Sequence, residues 1–306
     1  MILYANGCSM TYGSELVDDP VTGCCTDDRQ RWRQAWPGWL GRALGADRVV
    51  NDAVPSGSND RVVRTTVGWC ARMLGLGTAP AGLFVVVGWT SALRREFYVA
   101  GAYRQLVPHH RYALPELDRL AAAYRETAWS ESESISRFVT QVVTLQSFLD
   151  MQGIPHLFFD ALSGIGEDLL HAAPAAVQTA QLIDRDRYFG FGPPAVTLVD
   201  RLRAEVPQWN GQHPSAEGHR VWAAHLFHFS ASRDIVSAGR PGAAAGPAEN
   251  EPAYDGTSRV LVFDRKAGFP RRPTGPRRGS ETELRPSSGL AARLRAARRQ
   301  DPFLYP

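Results

Sequence analysis

The stretch "GLFVVVGW", residues 82–89, decides the fold class of this chain. It is a continuous apolar run with three consecutive valines, and polar residues do not alternate with apolar ones along it. A run of this kind is typical of a parallel strand that helices cover on both faces. It therefore predicts a strand in the middle of an α/β sheet.

Strand-like and helix-like segments alternate on both sides of this run. Short apolar segments predict further strands at residues 2–5, 48–53 and 155–162. Apolar residues at helical spacing predict helices at residues 36–45, 59–74, 134–153 and 213–229. Repeated alternation of strand and helix predicts a three-layer α/β domain, in which helices cover both faces of a parallel sheet.

The composition fits a chain with a sizeable core and no membrane segment. The chain has 306 residues, of which 44% are hydrophobic. No apolar run approaches the roughly 20 residues that a membrane-spanning helix needs, and no signal peptide is visible at the N-terminus. The four cysteines show neither CxxC pairing nor a disulfide-like framework. We therefore expect a cytoplasmic protein with reduced thiols and no membrane partner.

The composition changes near residue 230. Residues 231–306 contain 14 basic and 8 acidic residues, whereas the preceding part contains 20 basic and 23 acidic ones. Pro, Gly, Ala and Arg dominate the C-terminal part, which buries too little apolar surface to offset chain entropy, although an apolar island interrupts it at residues 258–264. We expect a domain at residues 1–229 and a mostly disordered tail at residues 230–306. Acidic residues separate the arginines of the tail, so we expect no nucleic-acid partner.

Turns that carry polar residues and glycines follow the predicted strands. "GCSMT" (7–11) follows the first strand, "AVPSGSN" (53–59) the second, "GWTS" (88–91) the third, and "NGQHP" (210–214) lies near the end of the domain. The carboxyl ends of parallel strands meet at one edge of a sheet, where open α/β sheets bind ligands. A serine, a histidine and free backbone amides would meet there, and these are the parts of an acyl-transfer site. For Ser9 the alternative is a helix N-cap.

Taken in order, these turns resemble the sequence blocks of SGNH hydrolases, also called GDSL-type lipases/esterases. Residues 7–9 resemble the Gly-Asp-Ser block with Cys8 in place of Asp, Gly57 matches the lone-glycine block, and "HPSAEGH" (213–219) resembles the form often seen around the catalytic histidine. The resemblance covers most of the predicted domain and implies a flavodoxin-like, doubly wound sheet. It also implies Ser9 as nucleophile, His213 as general base and the amide of Gly57 as an oxyanion donor.

Two positions depart from the family pattern. Thr90 stands where the family has an Asn that donates to the oxyanion, so Thr90 or Asn59 could take this role, and Asn59 has the alternative of a helix N-cap. Asn210 stands where the family has an Asp three residues before the catalytic histidine. Asn210 could orient His213 through its carbonyl oxygen. A backbone carbonyl, Asp186 or Asp200 are the alternatives.

The sequence therefore predicts a serine-dependent hydrolase that cleaves an ester or O-acyl group on a small molecule or sugar through an acyl-enzyme. No cofactor and no metal are expected. Two alternatives stay open. One is a binding or scaffold protein on a decayed hydrolase fold, which the departures at Thr90 and Asn210 favour. The other is an acyltransferase with the same Ser-His pair. Arg94 and Arg95 follow the third strand, and one of them could bind an anionic substrate group; a solvated helix start is the alternative.

Overall fold

The structure is a computed structural model that describes residues 1–19, 22, 24–169, 172–192 and 194–236, and the backbone of two short strands at residues 252–254 and 261–264. The strands, in chain order, are β1 (Ile2–Asn6), β2 (Arg48–Asn51), β3 (Leu83–Trp89), β4 (Arg95–Val99), β5 (Ala102–Leu106), β6 (His156–Asp160), β7 (Tyr188–Phe189), β8 (Trp209–Asn210), β9 (His213–Pro214), β10 (Pro252–Tyr254) and β11 (Leu261–Asp264). The helices are α1 (Ser9–Tyr12), α2 (Asp28–Gln34), α3 (Trp36–Ala43), α4 (Asn59–Gly75), α5 (Pro115–Thr127), α6 (Glu131–Met151), α7 (Ile165–Asp168), α8 (Pro174–Ala180), α9 (Leu198–Glu205) and α10 (Ala216–Ser232).

Five parallel strands form the centre of the sheet, in the order β2-β1-β3-β6-β7. Numbered by their place among the five, this is the 2-1-3-4-5 order of flavodoxin-like folds. From β1 the chain adds β2 on one side of the sheet and β3, β6 and β7 on the other, so the strand order reverses between β1 and β3. The crevice at the carboxyl ends of these two strands is the expected ligand position. The predicted α/β fold with a doubly wound parallel sheet is confirmed.

The central strand β3 explains why two helical layers form. All seven of its residues are buried. Val85 and Val87 pack into the core beneath α4, α6 and α8, whereas Phe84 and Val86 pack into the core beneath α3, α9 and α10. Since successive side chains of a strand point to opposite faces, one apolar run supplies both cores.

The C-terminal helix begins later than the sequence predicts. Residues 213–229 are predicted as one helix, but α10 starts at Ala216, because the Ser215 hydroxyl caps it and accepts from the Gly218 amide at 3.3 Å. His213 and Pro214 instead form β9, which pairs with β8 in a short antiparallel hairpin. His213 is therefore held by a hairpin next to the helix.

Residues 95–127, whose sequence predicts no element, form a hairpin and a helix. β4 and β5 pair antiparallel, and α5 packs against them around a small separate core of Leu106, Leu117, Ala121 and Tyr124. The loop between β3 and β4, which carries Arg94, is therefore anchored at both ends.

The structure extends past the predicted boundary at residue 230. α10 continues to Ser232, and Ile235 and Val236 pack against the core. β11, within the apolar island, pairs antiparallel with β2, and β10 pairs with β11. The other residues of the predicted tail lie outside the described residues, and their predicted disorder stays a prediction. None of the described helices is long and apolar enough to cross a membrane.

A buried histidine joins α10 to the start of α3. His219 is fully buried, and its Nδ1 accepts a hydrogen bond from the Trp36 amide at 3.2 Å. Burial, followed by the charge of His213, lowers the pKa of His219 to about 3. The folded protein therefore holds this imidazole neutral.

We expect the free energy of unfolding to fall as the pH drops from 7 to 5, because the unfolded chain takes up a proton at His219 below about pH 6.5 that the folded chain excludes. Such a group contributes about 1.4 kcal/mol per pH unit. His156, whose pKa burial also lowers, adds to the slope. Urea unfolding at pH 7, 6 and 5 measures the slope, and His219→Gln is expected to reduce it. An unchanged slope in this variant would contradict the assignment.

We expect a chain that ends after Val236 to fold, because the core clusters of the described residues all lie within residues 1–236. Its Tm is expected to fall below that of a chain ending after Asp264, since the edge of β2 loses its antiparallel partner. Thermal unfolding of the two chains measures the difference. Insolubility of the shorter chain would place part of the tail inside the domain, and equal Tm values would show that the edge pairing adds no stability.

Candidate active site

Ser9 lies at the carboxyl end of β1, where the chain turns into the short helix α1. The turn needs Gly7, because a Cβ there would lie 2.5 Å from Thr11 Oγ1 and 2.7 Å from the Gly88 carbonyl oxygen. Cys8, not Ser9, occupies the N-cap position of α1, so the cap interpretation of Ser9 is wrong. Among the described residues, the amide and the hydroxyl of Ser9 have no hydrogen-bond partner. Ser9 thus has a free hydroxyl at the expected ligand edge.

His213 is buried beside this turn with one nitrogen on a carboxylate and the other unbonded. Only 4% of its surface is exposed. Its Nδ1 lies 3.0 Å from Oε2 of Glu15. This distance is short enough for a hydrogen bond, but the two groups are not aligned as a linear hydrogen bond requires. Its Nε2 is buried and has no partner among the described residues. Catalytic hydrogen bonds are often poorly aligned before substrate binds.

The Glu15 carboxylate is held in place by the β8–β9 hairpin. Oε2 accepts hydrogen bonds from the amides of Gln212 at 2.9 Å and His213 at 3.2 Å. Gly211, at φ +59°, leaves room for this carboxylate, since a Cβ there would lie 2.7 Å from Oε2. Glu15 itself has φ +66°, a backbone conformation that few non-glycine residues adopt. The local backbone is therefore shaped around the carboxylate.

The surroundings of Glu15 keep it ionised. Partial burial alone would raise its pKa, but the close His213 ring and the two backbone amides outweigh burial and lower the pKa from its ordinary value. A carboxylate at Nδ1 favours the tautomer with the proton on Nδ1, which leaves Nε2 as an acceptor. This is the state that a general base needs.

The carboxylate at His213 Nδ1 belongs to Glu15, and the predicted contact between the Asn210 side chain and the His213 ring is not found among the described residues. Asn210 Nδ2 donates instead to the backbone carbonyl of Glu15 at 3.1 Å. Of the alternatives, Asp186 pairs with Arg233, and Asp200 accepts from the Thr197 hydroxyl within the cap of α9. The sequence signal was the acidic residue in "YGSEL" (12–16), directly after the serine block.

The three predicted oxyanion residues lie together and bond to one another or to their own turns. The Gly57 amide donates to the Val54 carbonyl at 3.1 Å. The Asn59 side chain donates to the Thr90 carbonyl and accepts from the Thr90 amide, both at 3.0 Å. The Thr90 hydroxyl is buried and has no partner among the described residues. Asn59 therefore fastens the end of β3 to α4, and Ser58, not Asn59, caps α4.

Ser9 and His213 line one cavity of about 220 Å³. Its other described lining residues are Met10, Arg94, Leu162, Val199, Arg203 and Gln212. A second cavity, of about 400 Å³, lies at the amino end of β6 next to Ile154 and Pro155 and contains neither Ser9 nor His213. The smaller cavity is thus the candidate active site, because it holds a hydroxyl and an oriented imidazole.

Comparison with known proteins gives one family and several distant solved structures. The family described as "Family of unknown function (DUF6071)" matches residues 14–245, a range that includes Glu15 and His213 and begins after Ser9. No curated protein sequence matches the chain. A carbohydrate esterase, described as having an active site with divergent catalytic and non-catalytic binding functions, is 14% identical with a TM-score of 0.36, over 74% of this chain and 67% of that one. The acetyl xylan esterase Est2A of the rumen bacterium Butyrivibrio proteoclasticus is 11% identical with a TM-score of 0.41, over 76% of this chain and 64% of that one.

We expect Asn210→Asp to destabilise the protein, although the family pattern has an Asp at this position. The new carboxylate would lose the hydrogen bond to the Glu15 carbonyl and would face that oxygen. The expected loss is about 1–3 kcal/mol in the free energy of unfolding, measured in urea. Asn210→Ala removes the donor without adding a charge, so its loss is expected to be smaller. An Asn210→Asp variant as stable as the wild type would contradict this account.

Proposed function

This chain belongs to the family of unknown function DUF6071, and from its own site we propose that it is a serine hydrolase that cleaves an ester or O-acyl group on a small molecule or sugar. The observation that carries the proposal is the buried His213, with Nδ1 on the Glu15 carboxylate and Nε2 unbonded, in the cavity that also holds Ser9. The order of groups is that of a Ser-His-acid triad.

In the proposed reaction, the Ser9 hydroxyl attacks the carbonyl carbon of the ester while His213 Nε2 takes its proton. Glu15 stabilises the imidazolium that forms. His213 then gives the proton to the departing alcohol oxygen as the C–O bond breaks, which leaves the acyl group on Ser9. Water, deprotonated by the same imidazole, attacks the acyl-enzyme and releases the acid, and Ser9 recovers its proton.

For the negative oxygen of the tetrahedral intermediate, we assign the Ser9 amide as the first donor, because it has no partner among the described residues. The buried Thr90 hydroxyl is the second candidate. Gly57 would have to turn its amide away from Val54 before it could donate, and the amide group of Asn59 already bonds to the peptide of Thr90. Preorganised donors of this type are each worth roughly 10²–10³ in turnover.

The alternatives differ in how the site supports them. A decayed hydrolase fold was favoured by the missing acid at position 210, but Glu15 supplies a carboxylate at His213. An acyltransferase would use the same three side chains and would differ only in the acceptor of the acyl group. Product analysis with and without added alcohols or amines separates the acyltransferase from the hydrolase.

We expect a fluorophosphonate probe to label the wild-type protein at Ser9, because such probes react with activated serines. Ser9→Ala and His213→Ala are expected to abolish the label, and peptide mass spectrometry locates it. Ser14→Ala, which removes a buried serine of the same segment, is the matched control and is expected to label like the wild type. A folded wild type that stays unlabelled would favour a binding protein.

We expect Glu15→Gln to lower kcat on an aryl acetate by about 10²- to 10⁴-fold, because an amide no longer stabilises the imidazolium and permits the wrong tautomer. The upper end of this range is the size of the effect that an Asp→Asn change has in the triad of serine proteases. Asp186→Asn, at an exposed acid paired with Arg233, is the matched control and is expected to leave kcat unchanged. Equal kcat values for Glu15→Gln and the wild type would remove Glu15 from the mechanism.

A further inference from the structure

Arg94 is a buried cation that faces the candidate active site. It lies in the loop between β3 and β4, lines the cavity with Ser9 and His213, and is only 9% exposed. The one hydrogen bond that its side chain makes to the described residues runs from Nη1 to the Gly57 carbonyl and is long, at 3.5 Å. No carboxylate among the described residues pairs with it. Arg94 therefore brings a nearly unpaired charge to the cavity wall.

Neighbouring arginines show what an ordinary environment looks like in this part of the fold. Arg61 pairs with Asp52 at 2.9 Å, Arg64 with Glu96 at 2.7 Å, and Arg137 with Asp60 at 3.1 Å. Arg95, the next residue along the chain, pairs with Glu133 at 3.1 Å. Each of these guanidinium groups has a carboxylate partner, so Arg94 is a local exception within the described part of the chain.

Burying an unpaired charge is costly, and an arginine cannot escape the cost by losing its proton. Such a group is expected to have a partner of opposite charge in the functional state. No Asp or Glu is among the described residues that line the cavity, whereas Arg203 adds a second cation. Arg203 is exposed, and its guanidinium lies over the Trp209 ring at 5.2 Å. It therefore marks the solvent side of the cavity, through which an anion that pairs with Arg94 would enter.

We propose that the substrate is an ester that also carries a carboxylate, which Arg94 binds inside the cavity and Arg203 attracts near its mouth. A carboxylate matches a single guanidinium in charge and can accept two parallel N–H bonds from it. Met10, Leu162 and Val199 form the apolar part of the lining. A cavity of about 220 Å³ is small beside the roughly 300–1,000 Å³ of most ligand pockets, so the substrate is small. The inference rests on the proposed function, because it places this carboxylate beside Ser9.

The test uses two pairs of esters that differ only in a charge. On the alcohol side, 4-acetoxybenzoate is compared with its methyl ester, and on the acyl side, 4-nitrophenyl hydrogen succinate with its methyl ester. The wild type is expected to favour the anionic member of one pair by about 10- to 100-fold in kcat/KM. Arg94→Met is expected to abolish this preference, and Arg94→Lys to retain part of it. Arg104→Met, at an exposed arginine of β5, is the matched control and is expected to retain the preference in full.

A binding measurement separates the failure of this inference from the failure of the proposed function. Calorimetry on Ser9→Ala is expected to show tighter binding of the anionic member in at least one of the two pairs, and addition of Arg94→Met is expected to remove the difference. If the wild type hydrolyses no ester but this difference is found, the proposed function fails and the anion site stands. Equal hydrolysis and equal binding of both members would overturn the inference. So would an Arg94→Met variant that folds and loses activity equally on both members.

Discussion

The contact of the Glu15 carboxylate with the β8–β9 hairpin is the interaction on which the candidate site depends. Its hydrogen bond to the His213 amide joins residues 198 positions apart in the sequence. The carboxylate fixes the hairpin, orients the imidazole and requires a left-handed backbone at both Glu15 and Gly211. Strained backbone persists where surrounding contacts compensate for it, and such positions cluster at functional sites. Two amide hydrogen bonds and an imidazole are the compensating contacts at Glu15.

The fold could be predicted from the sequence wherever the spacing of apolar residues within one segment was enough to identify it as a strand or a helix. The run that forms β3 and the apolar stripe of α6 needed no tertiary information, because residue spacing alone indicates burial on two faces or along one helical stripe. β7 has two residues and α9 buries only Leu198 and Leu202, so neither has a pattern long enough to predict an element. The β4–β5 hairpin has mixed polarity because its core is small and most of its residues stay partly exposed.

The site could be predicted only in part, for a different reason. Ser9 and His213 lie at strand ends or beside them, and topology brings strand ends together whatever the rest of the chain does. The partner of His213 depends on one backbone conformation at Glu15 and on a contact between distant segments, which spacing does not encode. Asn210, chosen by its spacing before His213, does belong to this cluster. It contacts the carbonyl of Glu15, where a second carboxylate would repel the first.

Glu15 contacts the imidazole of His213 directly, whereas Arg94 lines the same cavity as this imidazole. In the proposed mechanism, proton transfer from Ser9 creates a positive charge on His213. Glu15 stabilises this charge, and the charge of Arg94, which no described carboxylate pairs, opposes it. A substrate carboxylate bound to Arg94 would cancel that opposition in the complex. A neutral ester would leave it in place, so the same arginine would bind the correct substrate and penalise its neutral analogue during the chemical step. Specificity of this kind resides in kcat as well as in KM, because it acts on the charge that forms in the transition state.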